Sequence, residues 1–231
     1  MSTNYLDRGA GRRIAYDVQG DGPLVVGLHG MGDLRAVYRF TVPALADAGY
    51  RVATFDSRGH GESSDGFDSY DDVAQAGDAL ALVEHLGGGP AALLGNSMGA
   101  GAAVYAAAER PDLVSAIVLL GPFVRDPKLS AAARLTVSLL LRKPWGPAAW
   151  ASYYGRYYPG HPPADLADHR RRIKESLRGG DHLASFRLTA TTSHAPAEQR
   201  LARVSAPALV VMGDPPYGGD RLCRHGRSSG T

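Results

Sequence analysis

Ser97 stands between Gly95 and Gly99 in a G-x-S-x-G pattern. Residues 91–95 form a short apolar run typical of a buried strand, and residues 98–109 are alanine-rich with helical spacing. A sharp strand-to-helix turn leaves little room for side chains on either side of its centre, which explains both glycines. Such a turn would present the serine hydroxyl above the sheet as a nucleophile. The alternative is a serine that only caps a core helix.

A second segment could support the same chemistry. The sequence LHGMGD, residues 28–33, follows another apolar run. Acyl transfer builds negative charge on a substrate oxygen, and two backbone N–H groups can stabilise it. The predicted donors are the amides of Met31, beside Gly30, and of Met98, directly after the serine. His29 is expected to hold this loop together, because a catalytic base should follow the acid along the chain.

The elements that must position these residues follow from the hydrophobic pattern. Residues 13–18 alternate apolar and polar, which predicts a half-buried antiparallel strand. Short apolar runs that predict strands buried on both faces lie at 24–28, 51–55, 91–95, 116–120 and 208–212, and helical spacing occurs at 34–48, 70–86 and 98–109. This repeated strand–helix order predicts an α/β fold with a mostly parallel sheet flanked by helices.

The interval before the last apolar run is too long for a simple crossover. It contains helical patterns at 131–145 and 164–192, separated by an aromatic run at 150–163. We expect a core formed by residues 1–121 and 207–214, a helical cap inserted at 122–206, and an atypical, disordered tail at 215–231. The insertion could be extra packing, but a lid over a ligand crevice is favoured by its place after a strand of an open sheet.

Composition narrows the function classes. The chain has 231 residues, 44% of them hydrophobic, enough for one substantial core. A formal charge of +2 with scattered arginines gives no reason to expect a nucleic-acid or membrane partner. Cys223 is the single cysteine, so no intramolecular disulfide can form. With no signal-like or membrane-length apolar segment in the sequence, we expect a cytoplasmic protein.

The motifs together resemble the α/β-hydrolase family. The resemblance rests on residues 29–32, on DSRGHGES at 56–63, on the serine motif at 95–99, and on PALVVMGD at 207–214. It implies a helical cap after the sixth strand of a mostly parallel sheet. It also implies hydrolysis of an ester-type or similar bond in a small-molecule substrate through a serine nucleophile, without a metal or an organic cofactor.

The family pattern is not followed after the seventh strand. The usual position of the acid is Pro216 here, so Asp214 is the candidate acid and Asp126, after the sixth strand, the alternative. His225 is the candidate base by chain order, only 11 residues after Asp214. No eighth strand can be predicted in the glycine-rich residues 213–231.

These departures lead to two hypotheses about the chain. We expect it to end before the family's eighth strand and catalytic histidine, which would leave the seventh strand as an exposed edge capable of self-association. The protein is then either a serine hydrolase of esterase type or a catalytically impaired or silent α/β-hydrolase-like domain that at most binds a ligand. We expect the lineage of this protein to consist of serine hydrolases. The chain itself would have little or no activity if its serine lacks an oriented base.

Overall fold

The computed structural model describes residues 3–126 and 130–213 of the chain. The candidate acid Asp214 and the candidate base His225 lie outside the described residues, as does the tail at 215–231. Within the described ranges, every helix is too short or too polar to cross a lipid bilayer.

The order of elements alternates strands and helices, as the hydrophobic pattern predicts. The strands are β1 (Asn4–Asp7), β2 (Arg13–Gln19), β3 (Leu24–Leu28), β4 (Arg51–Phe55), β5 (Ala91–Asn96), β6 (Val114–Leu120) and β7 (Ala208–Val211). The α-helices are α1 (Thr41–Asp47), α2 (Asp72–Leu86), α3 (Met98–Glu109), α4 (Ala131–Leu140), α5 (Gly146–Tyr154), α6 (Leu166–Ser176), α7 (His182–Thr189) and α8 (Ala195–Glu198).

The seven strands form one sheet in the order β1-β2-β4-β3-β5-β6-β7. β2 runs antiparallel to both β1 and β4, whereas β4, β3, β5, β6 and β7 are parallel to one another. The predicted mostly parallel sheet and its antiparallel strand at residues 13–18 are therefore confirmed. All carboxyl ends of the parallel strands meet at one edge, where the loops after β3, β4, β5 and β6 lie together.

The core explains why the central strands are continuous apolar runs. All five residues of β3 are buried, because helices cover both faces of the sheet. α2 and α3 pack against each other on one face, where α3 buries a run of small side chains from Met98 to Ala108. Alanine and glycine on that helix allow its backbone to approach the sheet closely. On the other face, Val25, Val52 and Leu94 form a smaller cluster with Tyr38.

Among the described residues between β6 and β7 there are five α-helices, α4 to α8. We call this segment the helical insertion, residues 122–206. A cluster of buried residues joins it to the loop after β3 through Leu34, and the insertion members are Leu141, Trp150, Tyr154, Ile173, Leu177, Leu183 and Phe186. The predicted helix at 131–145 ends at Leu140, because Pro144 has no N–H and disfavours helical backbone before it. The pattern at 164–192 divides into α6 and α7 at Gly179 and Gly180.

β7 is the last strand of the sheet as far as the chain is described. It pairs with β6, and its residues are exposed. The exposed fraction is 58% for Leu209 and 45% for Val211. An edge of unpaired backbone groups with apolar side chains is the kind of surface that pairs with another chain. Self-association through this edge stays a prediction.

Candidate active site

Ser97 lies at the junction of β5 and α3 with backbone angles φ 52° and ψ −115°. Positive φ is costly for a residue with a Cβ, by about 1–3 kcal/mol, and persists only where the surrounding structure enforces it. Among described non-glycine residues, Ser97 shares a positive φ only with Ala10, which lies in an exposed turn. The strained position at the end of a central strand is therefore specific to the serine turn.

Neither glycine beside Ser97 has room for a side chain. A Cβ at Gly95 would lie 2.6 Å from the Ala100 Cα, inside the first turn of α3. A Cβ at Gly99 would overlap with the carbonyl group of Leu28, with only 2.7 Å to the carbonyl carbon. Because both obstacles are backbone, they cannot rotate away, and the close approach of α3 to β3 depends on glycine.

The loop after β3 touches the serine directly. A Cβ at Gly30 would lie 3.1 Å from the Ser97 Cβ, so the loop passes within van der Waals distance of the serine. Within the described part of the chain, the N–H groups of Met31 and Met98 donate no hydrogen bond. Met98 is the first residue of the 12-residue helix α3, whose N-terminus favours negative charge. The arrangement can accommodate an oxyanion beside the serine.

A cavity of about 340 Å³ opens at this point. Its lining combines the serine turn, the loop after β3, the end of β6 and the insertion: Gly30, Met31, Asp33, Val37, Asn96, Ser97, Gly121, Tyr154, Tyr157 and Tyr158. The volume suits a small organic molecule. Sequence reasoning found the serine side of this cavity, and the aromatic run at 150–163 supplies its other side.

His29 and His60 are fully used in holding the loops after β3 and β4. The Ser57 N–H donates to His29 Nε2 at 2.9 Å, so the Nδ1 of that ring carries the proton and donates to the Gly30 carbonyl at 2.7 Å. The Gly32 N–H likewise donates to His60 Nε2. Burial, together with the neighbouring His29, lowers the pKa of His60 to about 3. Both contacts agree with a structural role for His29.

The structure describes seven of the eight histidines, and Ser97 Oγ makes no hydrogen bond with any residue of 3–126 or 130–213. Besides His29 and His60, the ring partners are Tyr16 for His85, Asp33 for His169, the Ser176 carbonyl for His182, and Asp72 for His194, while His161 is exposed. His225, the eighth, lies outside the described residues.

Asp126, the alternative acid, is occupied by the insertion. Its carboxylate accepts hydrogen bonds from the Ser193 hydroxyl and from the backbone N–H of His194, both at 2.6 Å. The His194 ring instead contacts Asp72 at 2.8 Å. Burial alone would lower the pKa of His194, but the hydrogen bond to Asp72 and its charge raise it. Asp126 thus binds the backbone before α8 and leaves the imidazole to Asp72.

Asp33 was not singled out from the sequence, yet it joins the cavity to the insertion. Its side chain is 5% exposed and accepts hydrogen bonds from Tyr154 Oη and His169 Nε2, each at 2.7 Å, and from the Leu34 N–H at 2.8 Å. Burial, together with the charge of Asp33, raises the pKa of Tyr154. The LHGMGD segment was a signal for this residue, but its partners could not be inferred.

The depressed pKa of His60 predicts a loss of stability in mild acid. The folded protein keeps this ring neutral down to about pH 3, whereas the unfolded chain binds a proton below about pH 6.5. Stability should therefore fall as the pH falls through this window. Between pH 7 and pH 5 the His60 contribution amounts to about 2 kcal/mol. The free energy of unfolding from urea titrations at both pH values measures it.

His60→Gln removes the titrating ring, and His161→Gln removes an exposed one. We expect His60→Gln to be less stable than the wild type at pH 7, with the gap narrowing by about 2 kcal/mol at pH 5. His161→Gln should follow the wild type at both pH values. A His60→Gln gap that is the same at pH 7 and pH 5 contradicts a neutral, buried His60.

Comparison with known proteins places this architecture in a family. Residues 23–146 match the model of the alpha/beta hydrolase fold. The chain is 30% identical over 211 residues to 2-(acetamidomethylene)succinate hydrolase of Mesorhizobium japonicum, covering 87% of this chain and 75% of the relative. It is 29% identical over 184 residues to epoxide hydrolase A of Mycobacterium tuberculosis, covering 73% and 52%. A hydrolase structure from Pseudomonas aeruginosa superposes with a TM-score of 0.71 at 26% identity, covering 91% and 80%.

The chain spans about half, or less, of the length of several curated relatives that it matches. The match to the family model nevertheless includes β3 to β6, the serine turn and the loop after β3. These are the parts that carry the candidate site. Because that model matches more than half of the chain, the protein belongs to the alpha/beta hydrolase fold family.

Proposed function

We propose that this protein hydrolyses an ester-type or similar acyl bond of a small molecule through an acyl-enzyme on Ser97. The observation that carries the proposal is the serine itself, held at positive φ between β5 and α3 on the wall of a 340 Å³ cavity. Ser97 Oγ attacks the carbonyl carbon, and its proton passes by way of a general base to the departing alcohol. Water then cleaves the acyl-serine ester and restores the hydroxyl.

The amides of Met31 and Met98 are the proposed oxyanion donors. Both belong to segments that adjoin Ser97, and neither is engaged within the described part of the chain. Their dipoles are fixed by the loop after β3 and by the start of α3, so they need no reorganisation when charge develops on the carbonyl oxygen. Loss of one such donor costs about 10²–10³ in rate.

The chemistry of serine favours an acyl bond over an epoxide, although one relative carries the name epoxide hydrolase. Attack of a serine oxygen on an epoxide carbon would form an ether, which water does not cleave under mild conditions. Attack on an ester carbonyl forms another ester, which water can cleave. With Ser97 at the turn, turnover therefore requires an acyl substrate.

The remaining parts of the catalytic machinery rest on the sequence. Asp214 and His225 are the proposed acid and base, following Ser97 in the order expected for this family. The helical insertion is proposed to act as a cap, since its residues Tyr154 and Tyr158 line the same cavity as Ser97. No step in this scheme uses a metal or an organic cofactor.

A catalytically silent, ligand-binding domain is the second candidate. Among the described residues, no histidine ring is hydrogen-bonded to the Ser97 hydroxyl, and most of these rings have another partner. This observation favours the silent domain. An unactivated serine is a poor nucleophile at neutral pH. The two candidates predict different reactivity toward a covalent inhibitor of activated serines, and such a test does not require knowledge of the substrate.

Labelling with a fluorophosphonate separates the two candidates. We expect the full 231-residue chain to be labelled on the peptide that contains Ser97, and Ser97→Ala to lose labelling by at least about 10³-fold in rate. Ser193→Ala, which changes a serine bound to Asp126, should label like the wild type. A wild-type protein that reacts no faster than Ser97→Ala would indicate the silent domain.

A further inference from the structure

The polar groups at the insertion side of the cavity form a connected chain. Asp33 accepts a hydrogen bond from the Tyr154 hydroxyl at 2.7 Å, and the Tyr154 and Tyr158 hydroxyls are 3.3 Å apart. All three residues line the cavity that also contains Ser97. This hydrogen-bonded chain begins at the buried carboxylate of Asp33 and ends at the hydroxyl of Tyr158, a residue that lines the space where a substrate would lie.

The carboxylate sets the direction of every bond in this chain. Asp33 accepts three hydrogen bonds, and the Tyr154 hydroxyl is one of the donors. The proton of Tyr154 is then used, and its oxygen can only accept, which makes Tyr158 the donor of the next bond. The lone pairs of Tyr158 remain, and a molecule in the cavity meets an acceptor there.

His169 does not reverse this polarity. Its Nε2 donates to Asp33, while its Nδ1 is buried and makes no hydrogen bond within the described residues. Because Nε2 is the donor, the Asp33 carboxylate remains the acceptor at the start of the hydrogen-bonded chain.

The other residues that line the cavity also favour a ligand that donates a hydrogen bond. Among the described lining residues there is no lysine, arginine or histidine, and three tyrosine rings supply π faces. Arg35 and Arg39, which follow Asp33 in the sequence, pair with Asp17 and Asp56 and with Asp165, respectively. Arg156, which precedes Tyr157, lies over the ring of Tyr153 and outside the cavity lining. A substrate group at the tyrosine side meets hydrogen-bond acceptors and aromatic faces.

We infer that the substrate carries a hydrogen-bond donor, a hydroxyl or an ammonium group, on the part that reaches Tyr158. This inference rests on the proposed function, because it describes a substrate held in the cavity that contains Ser97. It selects polyol, hydroxyalkyl or aminoalkyl acyl compounds over substrates that present a carboxylate or an ether at that place. Tyr158 then determines specificity and takes no part in bond cleavage.

Three probes of similar size that share a donor-free amide test the inference by binding alone. They are the 4-aminomethyl, 4-hydroxymethyl and 4-methoxymethyl derivatives of N,N-dimethylbenzamide, which offer an ammonium, a hydroxyl and an acceptor-only ether. Isothermal titration of the full chain should show the first two binding at least about fivefold tighter than the third. Tyr158→Phe should reduce that advantage to less than about twofold.

Tyr153→Phe is the matched control, since Tyr153 lies at the end of α5, five residues before Tyr158, but outside the cavity lining, and is 46% exposed. It should keep the full preference. Equal binding of the three probes, a preference that survives Tyr158→Phe, or no binding of any probe at millimolar concentration would overturn the inference. Loss of fluorophosphonate labelling with the preference intact would instead contradict the proposed function alone.

Discussion

Gly99→Ala adds a single methyl group and is expected to lower the free energy of unfolding by about 3 kcal/mol or more. A Cβ there would overlap with the Leu28 carbonyl and lie 2.9 Å from the His29 carbonyl oxygen. Both belong to the end of β3 and the loop that carries the proposed oxyanion donor. The protein can accept the methyl group only by moving α3 away from the sheet, which would also displace Ser97.

The matched control is Gly77→Ala, in the middle of α2. A Cβ at Gly77 meets nothing within 4 Å, so this change should stabilise the helix by up to about 1 kcal/mol. Urea unfolding of both variants gives the comparison, with soluble yield as the measure where Gly99→Ala does not survive purification. Equal stability of the two variants would mean that α3 does not approach β3 as closely as described.

Sequence reasoning was most successful where a residue type occurs at a position for a single physical reason. The continuous apolar run at 24–28 predicts a strand buried on both faces, and β3 has those bounds. The alternation at 13–18 predicts a half-buried antiparallel strand. β2 pairs antiparallel on both of its edges, but the consecutive residues Ile14, Ala15 and Tyr16 are all buried, so the solvated side was wrong. The glycines around Ser97 predict close backbone contact, which the structure contains at both positions.

The missed features depend on contacts that no local pattern encodes. β1 has one buried residue, Leu6, and too little apolar character to be recognised alone. From the sequence, Asp33 is only a carboxylate in a loop. Its hydrogen-bond partners Tyr154 and His169 could not be predicted, because they lie 121 and 136 residues further along the chain. Pro144 and the Gly179–Gly180 pair were available as helix breakers, and the divisions of the insertion could have been placed with them.

Asp33→Ala is expected to cost about 3 kcal/mol or more, because it removes the acceptor of three buried donors at once. The Leu34 N–H and the His169 Nε2–H would stay buried without an acceptor, and the Tyr154 hydroxyl would keep only its contact with Tyr158. Two of these donors belong to the helical insertion, so the loss should concentrate there. Urea unfolding measures the total, and limited proteolysis within 131–203 reports the insertion.

Asp165→Ala separates this effect from the loss of any carboxylate between core and insertion. Asp165 also joins the two parts, through a bidentate pair with Arg39, but it is exposed, and the change should cost clearly less than Asp33→Ala. Equal losses would mean that the burial of Asp33 contributes nothing.

Asp33→Ala should also slow fluorophosphonate labelling of Ser97 under native conditions, because Tyr154 and Tyr158 would no longer be fixed above the serine. The same carboxylate would then position the insertion and the tyrosines that line the cavity. Unchanged labelling in a destabilised Asp33→Ala protein would show that reactivity at Ser97 depends on the serine turn alone and not on the docked insertion.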